Sequence, residues 1–226
     1  HTLLVQWVED DHQLLKRIKR VGHKITHGGE EFTKPTVFDK NVFKYLWKYK
    51  DHAPFSNPGN LQGVEAAVGL LSDVPHVAVF DTMLFSSLPR YHYLYALPYD
   101  FYEQYGIRRY AFQGLAHEAA LDAFSAKTRL PWKKHNVISC VLSEPSSVAA
   151  FRKGEPIDAT MYFSPLGEQA VVSRFAETDP MVILAIIQDL GMDARQLAEL
   201  LQARAGVSSR EASFNVANVT RLLKGK

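Results

Sequence analysis

Two short apolar runs, Val77-Ala78-Val79-Phe80 and Val137-Ile138-Ser139-Cys140-Val141-Leu142, constrain this chain more than any other feature. Runs of this length, closed by polar residues, suit strands buried between layers and are too short for core helices. Amphipathic stretches of helical length lie around them. Residues 9–20 carry Leu14, Leu15 and Ile18 on one face, and Gly22 is the expected stop. Residues 37–50 place Val37, Val42, Tyr45 and Leu46 on one side. Asn60 is a candidate cap for a helix running to about Leu71, and residues 115–128 repeat the helical pattern.

A strand is expected over His23–His27, stopped by Gly28-Gly29. Ser147–Phe151 and Pro156–Met161 flank Arg152-Lys153-Gly154-Glu155, which reads as a hairpin turn. Asp179-Pro180 opens a helix over Met181–Leu190 that stops at Gly191, and Ala194–Ala203 forms another that stops near Gly206. Strands, a hairpin and intervening helices place the chain in the α/β or α+β class.

Composition removes several functional classes. The chain has 226 residues, 46% of them hydrophobic, which is enough to bury a core in one or two domains. A formal net charge of +2 gives no reason to expect nucleic acid or an anionic membrane as partner. No apolar run approaches the roughly 18 residues that span a bilayer, so no membrane insertion is expected. The N-terminus lacks the basic leader of a signal peptide, and a chain opening on His1 reads as a fragment or a processed product. The single cysteine, Cys140, forms no intrachain disulfide and reads as a buried strand residue. One cysteine fits the cytoplasm or another reducing compartment, such as an organelle matrix. Tyrosines crowd residues 91–110 and read as an amphipathic, partly buried segment. The histidines show no metal spacing: His23 and His27 would share a strand face without a third ligand, so no metal site is expected.

Asp81 stands at the C-terminal end of the Val77–Phe80 run, where ligands gather in α/β sheets. Taken alone, it is as readily a cap or turn residue. The words around it are more specific. His23-Lys24-Ile25-Thr26-His27-Gly28-Gly29-Glu30, Ala53-Pro54-Phe55-Ser56-Asn57-Pro58-Gly59-Asn60-Leu61, Val77–Thr82, Tyr95-Ala96-Leu97-Pro98-Tyr99, Gly106-Ile107-Arg108-Arg109-Tyr110 and Asp158-Ala159-Thr160-Met161 follow in order. Together they resemble the acetate and propionate kinases over about residues 10–205.

The resemblance implies an α/β chain of ribonuclease-H-like, actin-like lobes in a partial two-lobe architecture. Residues 1–135 would be the remainder of the N-terminal lobe and residues 136–226 the start of the C-terminal one. It also implies phosphoryl transfer between ATP and a short carboxylate, with magnesium. Such chemistry needs a cation for the carboxylate, donors for the moving phosphoryl group and close backbone approach to phosphate.

Asp81 stands where the family has its essential carboxylate, and Arg174 where it has a phosphoryl-stabilising arginine. Lys24 replaces the carboxylate-binding arginine, which keeps the charge and loses the fork. Gln113 replaces an active-site histidine, Ser56 replaces another, and His117 matches a supporting one. Ser143-Glu144-Pro145 stands in a phosphate loop where the family has glycines. A proline there removes a donor, and Glu144 adds negative charge. The family's N-terminal phosphate loop and its C-terminal adenosine segment find no counterpart in these residues.

Two expectations follow. The preferred one is a catalytically impaired or inactive relative, with Asp81 and Arg174 vestigial. It would serve as a structural or interaction subunit, with a protein partner or self-association and no cofactor. The other is part of a working acetate or propionate kinase that uses ATP and Mg. Arg108 and Arg109 read as a packed pair at a domain seam rather than an anion site.

Overall fold

The computed structural model describes residues 16–143, 146–164 and 180–203. β1 (Val21–Ile25), β2 (Thr36–Val37) and β3 (His76–Phe80) form one sheet in the order β1-β3-β2. β3 is central, parallel to β1 and antiparallel to β2. The register pairs Ile25 with Phe80, so β1 and β3 end level. Between β2 and β3 run α1 (Lys40–Trp47) and α2 (Asn57–Leu70). Asp39 opens α1 by accepting from the backbone N–H groups of Asn41 and Val42, both at 2.8 Å. Ile25, Val42, Leu46, Leu61, Val64, Ala78 and Phe80 form the core between these helices and the sheet.

Several boundaries differ from the sequence reading. Lys16 and Arg17 are helical, the chain has left the helix by Ile18, and residues 9–15 lie outside the described part. Gly22 sits inside β1 and does not stop a helix. His27 lies beyond β1, so it does not share a strand face with His23. Val37 belongs to β2, and the helix expected from residue 37 begins at Lys40. α2 begins at Asn57 with Pro58 in its first turn, so Asn60 is an internal helix residue and not the cap.

After β3 come the short helices α3 (Arg90–Tyr93) and α4 (Tyr99–Tyr105), then α5 (Gly114–Thr128). Within the tyrosine-rich segment Tyr110 is buried, while Tyr91 is 79% exposed and α4 buries no residue. β4 (Asn136–Val141), β5 (Ser147–Arg152) and β6 (Glu155–Ala159) form a second, antiparallel sheet in the order β4-β5-β6. Lys153 (φ 49°) and Gly154 (φ 92°) make the expected tight turn between β5 and β6. Phe85, Leu121, Trp132 and Phe151 form the core shared by α5 and this sheet. Cys140 lies in β4 as expected but is exposed, because alternate residues of β4 face away from the core shared with α5. α6 (Pro180–Leu190) stops at Gly191, and α7 (Ala194–Ala203) follows. Asp179 and Gly206, read as punctuation of these helices, lie outside the described residues.

Candidate functional site

β1 and β3 run parallel and end level, so their C-terminal ends open onto one spot. The chain leaves β3 as Asp81-Thr82, and the Asp81 N–H still donates to the Ile25 carbonyl at 3.1 Å. This last rung aims the Asp81 side chain beyond the sheet edge. Lys24, one residue before the end of β1, reaches it: Nζ lies 2.6 Å from Asp81 Oδ2. The two partners differ in environment, since the Asp81 side chain is 9% exposed and that of Lys24 52%. Burial pushes the Asp81 carboxyl above its ordinary value, and the Lys24 ammonium holds that rise back.

The neighbouring loop is pinned from α2. Asn60 Oδ1 accepts from the Thr26 N–H at 3.0 Å and from its hydroxyl at 3.1 Å. Asn57 exchanges two hydrogen bonds with the His27 backbone, each 3.0 Å long. Lys24 Nζ also donates to Thr26 Oγ1 at 3.2 Å, so the asparagines fix the residue that helps aim the lysine. Gly28 N–H donates to Thr82 Oγ1 at 3.2 Å and ties this loop to the one bearing Asp81. Ser56, expected to meet substrate, stands at the N-cap of α2; its carbonyl accepts from the Asn60 N–H at 2.9 Å, and its side chain makes no capping bond. The links from α2 to the site run through Asn57 and Asn60.

Gln113 enters from the other side. It precedes α5 in a left-handed conformation (φ 58°), and Gly114 N–H donates to the Asp81 carbonyl at 2.9 Å. A Cβ at Gly114 would run into that carbonyl oxygen, so glycine is what lets α5 begin against Asp81. Gln113 Nε2 donates to Ser143 Oγ at 3.4 Å, past the end of β4. The structure thus pairs Lys24 with Asp81 and Gln113 with Ser143, and joins the two pairs through the Gly114–Asp81 backbone bond. His117 lies behind it, fully buried between the hydroxyls of Ser139 and Ser147, and burial lowers its pKa to about 4. Arg174, Glu144 and Pro145 fall outside the described residues.

The sequence reading gave no individual site role to Thr26, Asn57, Thr82, Ser139 or Ser147, and it read Asn60 as a helix cap. Asn57 and Asn60 stood inside a quoted motif, which was the available signal. Arg108 is packed as expected: it is 5% exposed, lies 3.7 Å over the Tyr93 ring and pairs with Glu30. Arg109 donates to Asp158 at 3.0 Å and to the Ala159 carbonyl at 2.6 Å. A cavity of about 80 Å³ lies between Glu30, Thr82 and Arg108, too small for a nucleotide. Among the described residues no group of three or more His, Cys, Asp or Glu is placed to hold a metal ion. None of their helices is long and apolar enough to cross a membrane.

A carboxylate and an ammonium at the end of parallel strands, with a helix starting against the carboxylate's backbone, can bind and orient a small anion. Comparison with known proteins agrees with the resemblance. The acetokinase family profile matches residues 2–219. The acetate kinase of Thermoanaerobacter pseudethanolicus is 38% identical over 193 residues, which are 85% of this chain and 48% of that protein. The acetate kinase of Thermotoga maritima is 35% identical over 201 residues, 89% of this chain and 50% of that protein. The crystal structure of Porphyromonas gingivalis acetate kinase superposes on all of this chain and 59% of its own, with TM-score 0.86 and 29% identity. A propionate kinase from Francisella tularensis gives TM-score 0.90 and 25% identity over 99% of this chain and 58% of its own. The chain spans about half the length of the curated relatives it matches. Its architecture is part of the same α/β, actin-like fold. On this evidence of profile, sequence and structure, the chain belongs to the acetokinase family.

Proposed function

We propose that this chain carries the carboxylate-handling side of an acetate-kinase-like cleft and that its phosphoryl transfer is impaired. One observation carries the reading: Lys24 Nζ lies 2.6 Å from Asp81 Oδ2 at the shared end of β1 and β3. A short carboxylic acid entering there meets an ammonium already paired with Asp81 and has to compete for it. Arginine in that place could serve both carboxylates through separate N–H groups, whereas lysine offers one compact charge. Gln113 supplies a neutral donor where the family resemblance expects a histidine, so it binds without carrying positive charge. Removing one such donor costs roughly a hundred- to thousandfold in rate.

The resemblance implies ATP with Mg²⁺ as the phosphoryl source. Magnesium is commonly held by one or two carboxylates plus substrate phosphates, and Asp81 is the side chain of this site that fits that role. Mg²⁺ would supply charge neutralisation on the phosphates, while Lys24 and Gln113 orient the acid. We assign the boundary between lobes to residues 135/136, with β4–β6 opening the second. We extend the reading to association with a protein partner or a second copy, supported by exposed Leu184, Ile187 and Leu190 on α6. A reducing compartment such as the cytoplasm fits the single cysteine.

A second reading, part of a working acetate or propionate kinase, is favoured by the retained, largely buried Asp81. Acetyl phosphate formation from acetate and Mg-ATP, trapped as the hydroxamate, separates the two. The expected outcome is no turnover above background for the chain or for Gln113→His. Clear turnover in the unmodified chain, abolished by Asp81→Ala, would refute the impaired reading and establish the kinase.

A further inference from the structure

His117 is fully buried on α5, one helical turn after Gln113, and its backbone N–H donates to the Gln113 carbonyl at 3.0 Å. Its ring bridges two strands. Nδ1 lies 2.9 Å from Ser139 Oγ on β4, and Nε2 lies 2.8 Å from Ser147 Oγ at the start of β5. The Ser147 hydroxyl in turn donates to Gln113 Oε1. A hydroxyl has one proton to give. Ser147 has committed its proton to an amide oxygen that cannot return one, so it must accept from His117. That requires a proton on Nε2 and leaves Nδ1 to accept from Ser139. Every bond then runs in one direction, from Ser139 through His117 and Ser147 to Gln113. The Gln113 NH2 group reaches Ser143 just past β4, and the next residue, Gly114, donates its backbone N–H to the Asp81 carbonyl.

We propose that His117 is a positioning residue whose Nε2–H tautomer, relayed through Ser147, locks the Gln113 amide with its nitrogen towards the site. The inference rests on the reading that this site takes a small carboxylate, and it supplies the group that would recognise it. With the proton on Nδ1 instead, Ser147 would donate to His117. The amide would then have to turn its nitrogen inward and present its carbonyl oxygen to the ligand, repelling an anion. One buried ring thereby sets the polarity of the Gln113 side-chain donor. Burial lowers the His117 pKa to about 4, so the ring is neutral at pH 7 and its tautomer is the variable that matters.

Nitrogen-15 NMR of the His117 ring and the Gln113 side-chain amide in the whole chain, with acetate as the titrated probe, tests this. The expected result is a protonated Nε2 and a bare Nδ1 at pH 7. Ser147→Ala should shift the Gln113 NH2 resonances and weaken acetate binding by about tenfold, the value of one hydrogen bond to a charged acceptor. Ser147→Thr should restore both. A protonated Nδ1 in the unmodified chain overturns the proposal, and that measurement needs no variant to fold. So does an unmoved Gln113 amide in Ser147→Ala. If the ring and amide behave as expected but the chain binds no acetate, the relay stands and the carboxylate reading falls.

Discussion

Acidification should destabilise this chain through two buried histidines, and the size of the loss can be worked from their surroundings. His27 is fully buried, ringed by Tyr49, His52, Tyr110 and Phe112, and its Nδ1 accepts from the Gly29 N–H at 3.0 Å. Protonating Nδ1 would break that bond and bury a cation. Burial, with His52 and Arg108 adding, pushes His27 down to about 3. His117 sits at about 4, also through burial. It is the easier of the two to protonate, because serine hydroxyls can accept from both of its nitrogens.

Both folded values lie below the ordinary histidine value of 6.5. The unfolded chain therefore takes up protons first, and stability present above about pH 6.5 is lost as pH falls towards the folded values. Between pH 7 and pH 5 linkage gives roughly 2 kcal/mol for each ring, or about 4 kcal/mol together. His23 and His52, both lowered by burial, act in the same sense. Asp81 acts in the opposite sense: burial raises its value, so its protonation favours the folded chain as pH falls. Urea unfolding followed by tryptophan fluorescence at pH 7, 6 and 5 measures the sum. His117→Asn should remove about half of the pH dependence. A stability that stays level or rises from pH 7 to pH 5 would refute the assignment of these rings as buried and neutral.

Two further outcomes are expected. Gly114→Ala should destabilise by about 1–3 kcal/mol, because the new Cβ meets the Asp81 carbonyl and the start of α5 must shift; a chemical melt unchanged from that of the unmodified chain would contradict this. Light scattering should show self-association that weakens in Leu184→Ser/Ile187→Ser, since those side chains are exposed on α6; a monodisperse monomer for the unmodified chain would contradict self-association.

The strand ending at Asp81 was legible because β3 is central, and a central strand writes itself as an unbroken apolar run. The hairpin was legible because Lys153-Gly154 is a local turn signal. β1 was harder: Val21-Gly22-His23-Lys24-Ile25 mixes glycine and charge, and what makes it a strand is its partner β3, some fifty residues away in sequence. Asn60 looked like a cap because asparagine favours caps, but Pro58 starts the helix earlier and frees Asn60 to hold Thr26. The family words pointed to Asp81, Lys24, Gln113 and His117. They gave no sign of Ser139 and Ser147, which lie on two strands and share no sequence period with the His117 helix.

The parallel pairing of β1 with β3 also bears on the order of assembly. β5 and β6 meet across two residues, Lys153 and Gly154, so their contact can form within microseconds. β1 and β3 meet only after everything from Thr26 to Pro75 has been drawn into a closed loop. For about fifty residues the length-dependent part of that closure is roughly 3 kcal/mol, before any contact compensates it. The pairing that sets Lys24 beside Asp81 is thus a late, non-local event, while the hairpin is a local one that can precede it. A chain cut within that loop would retain the hairpin's means of forming and lose the topological link that brings lysine to carboxylate.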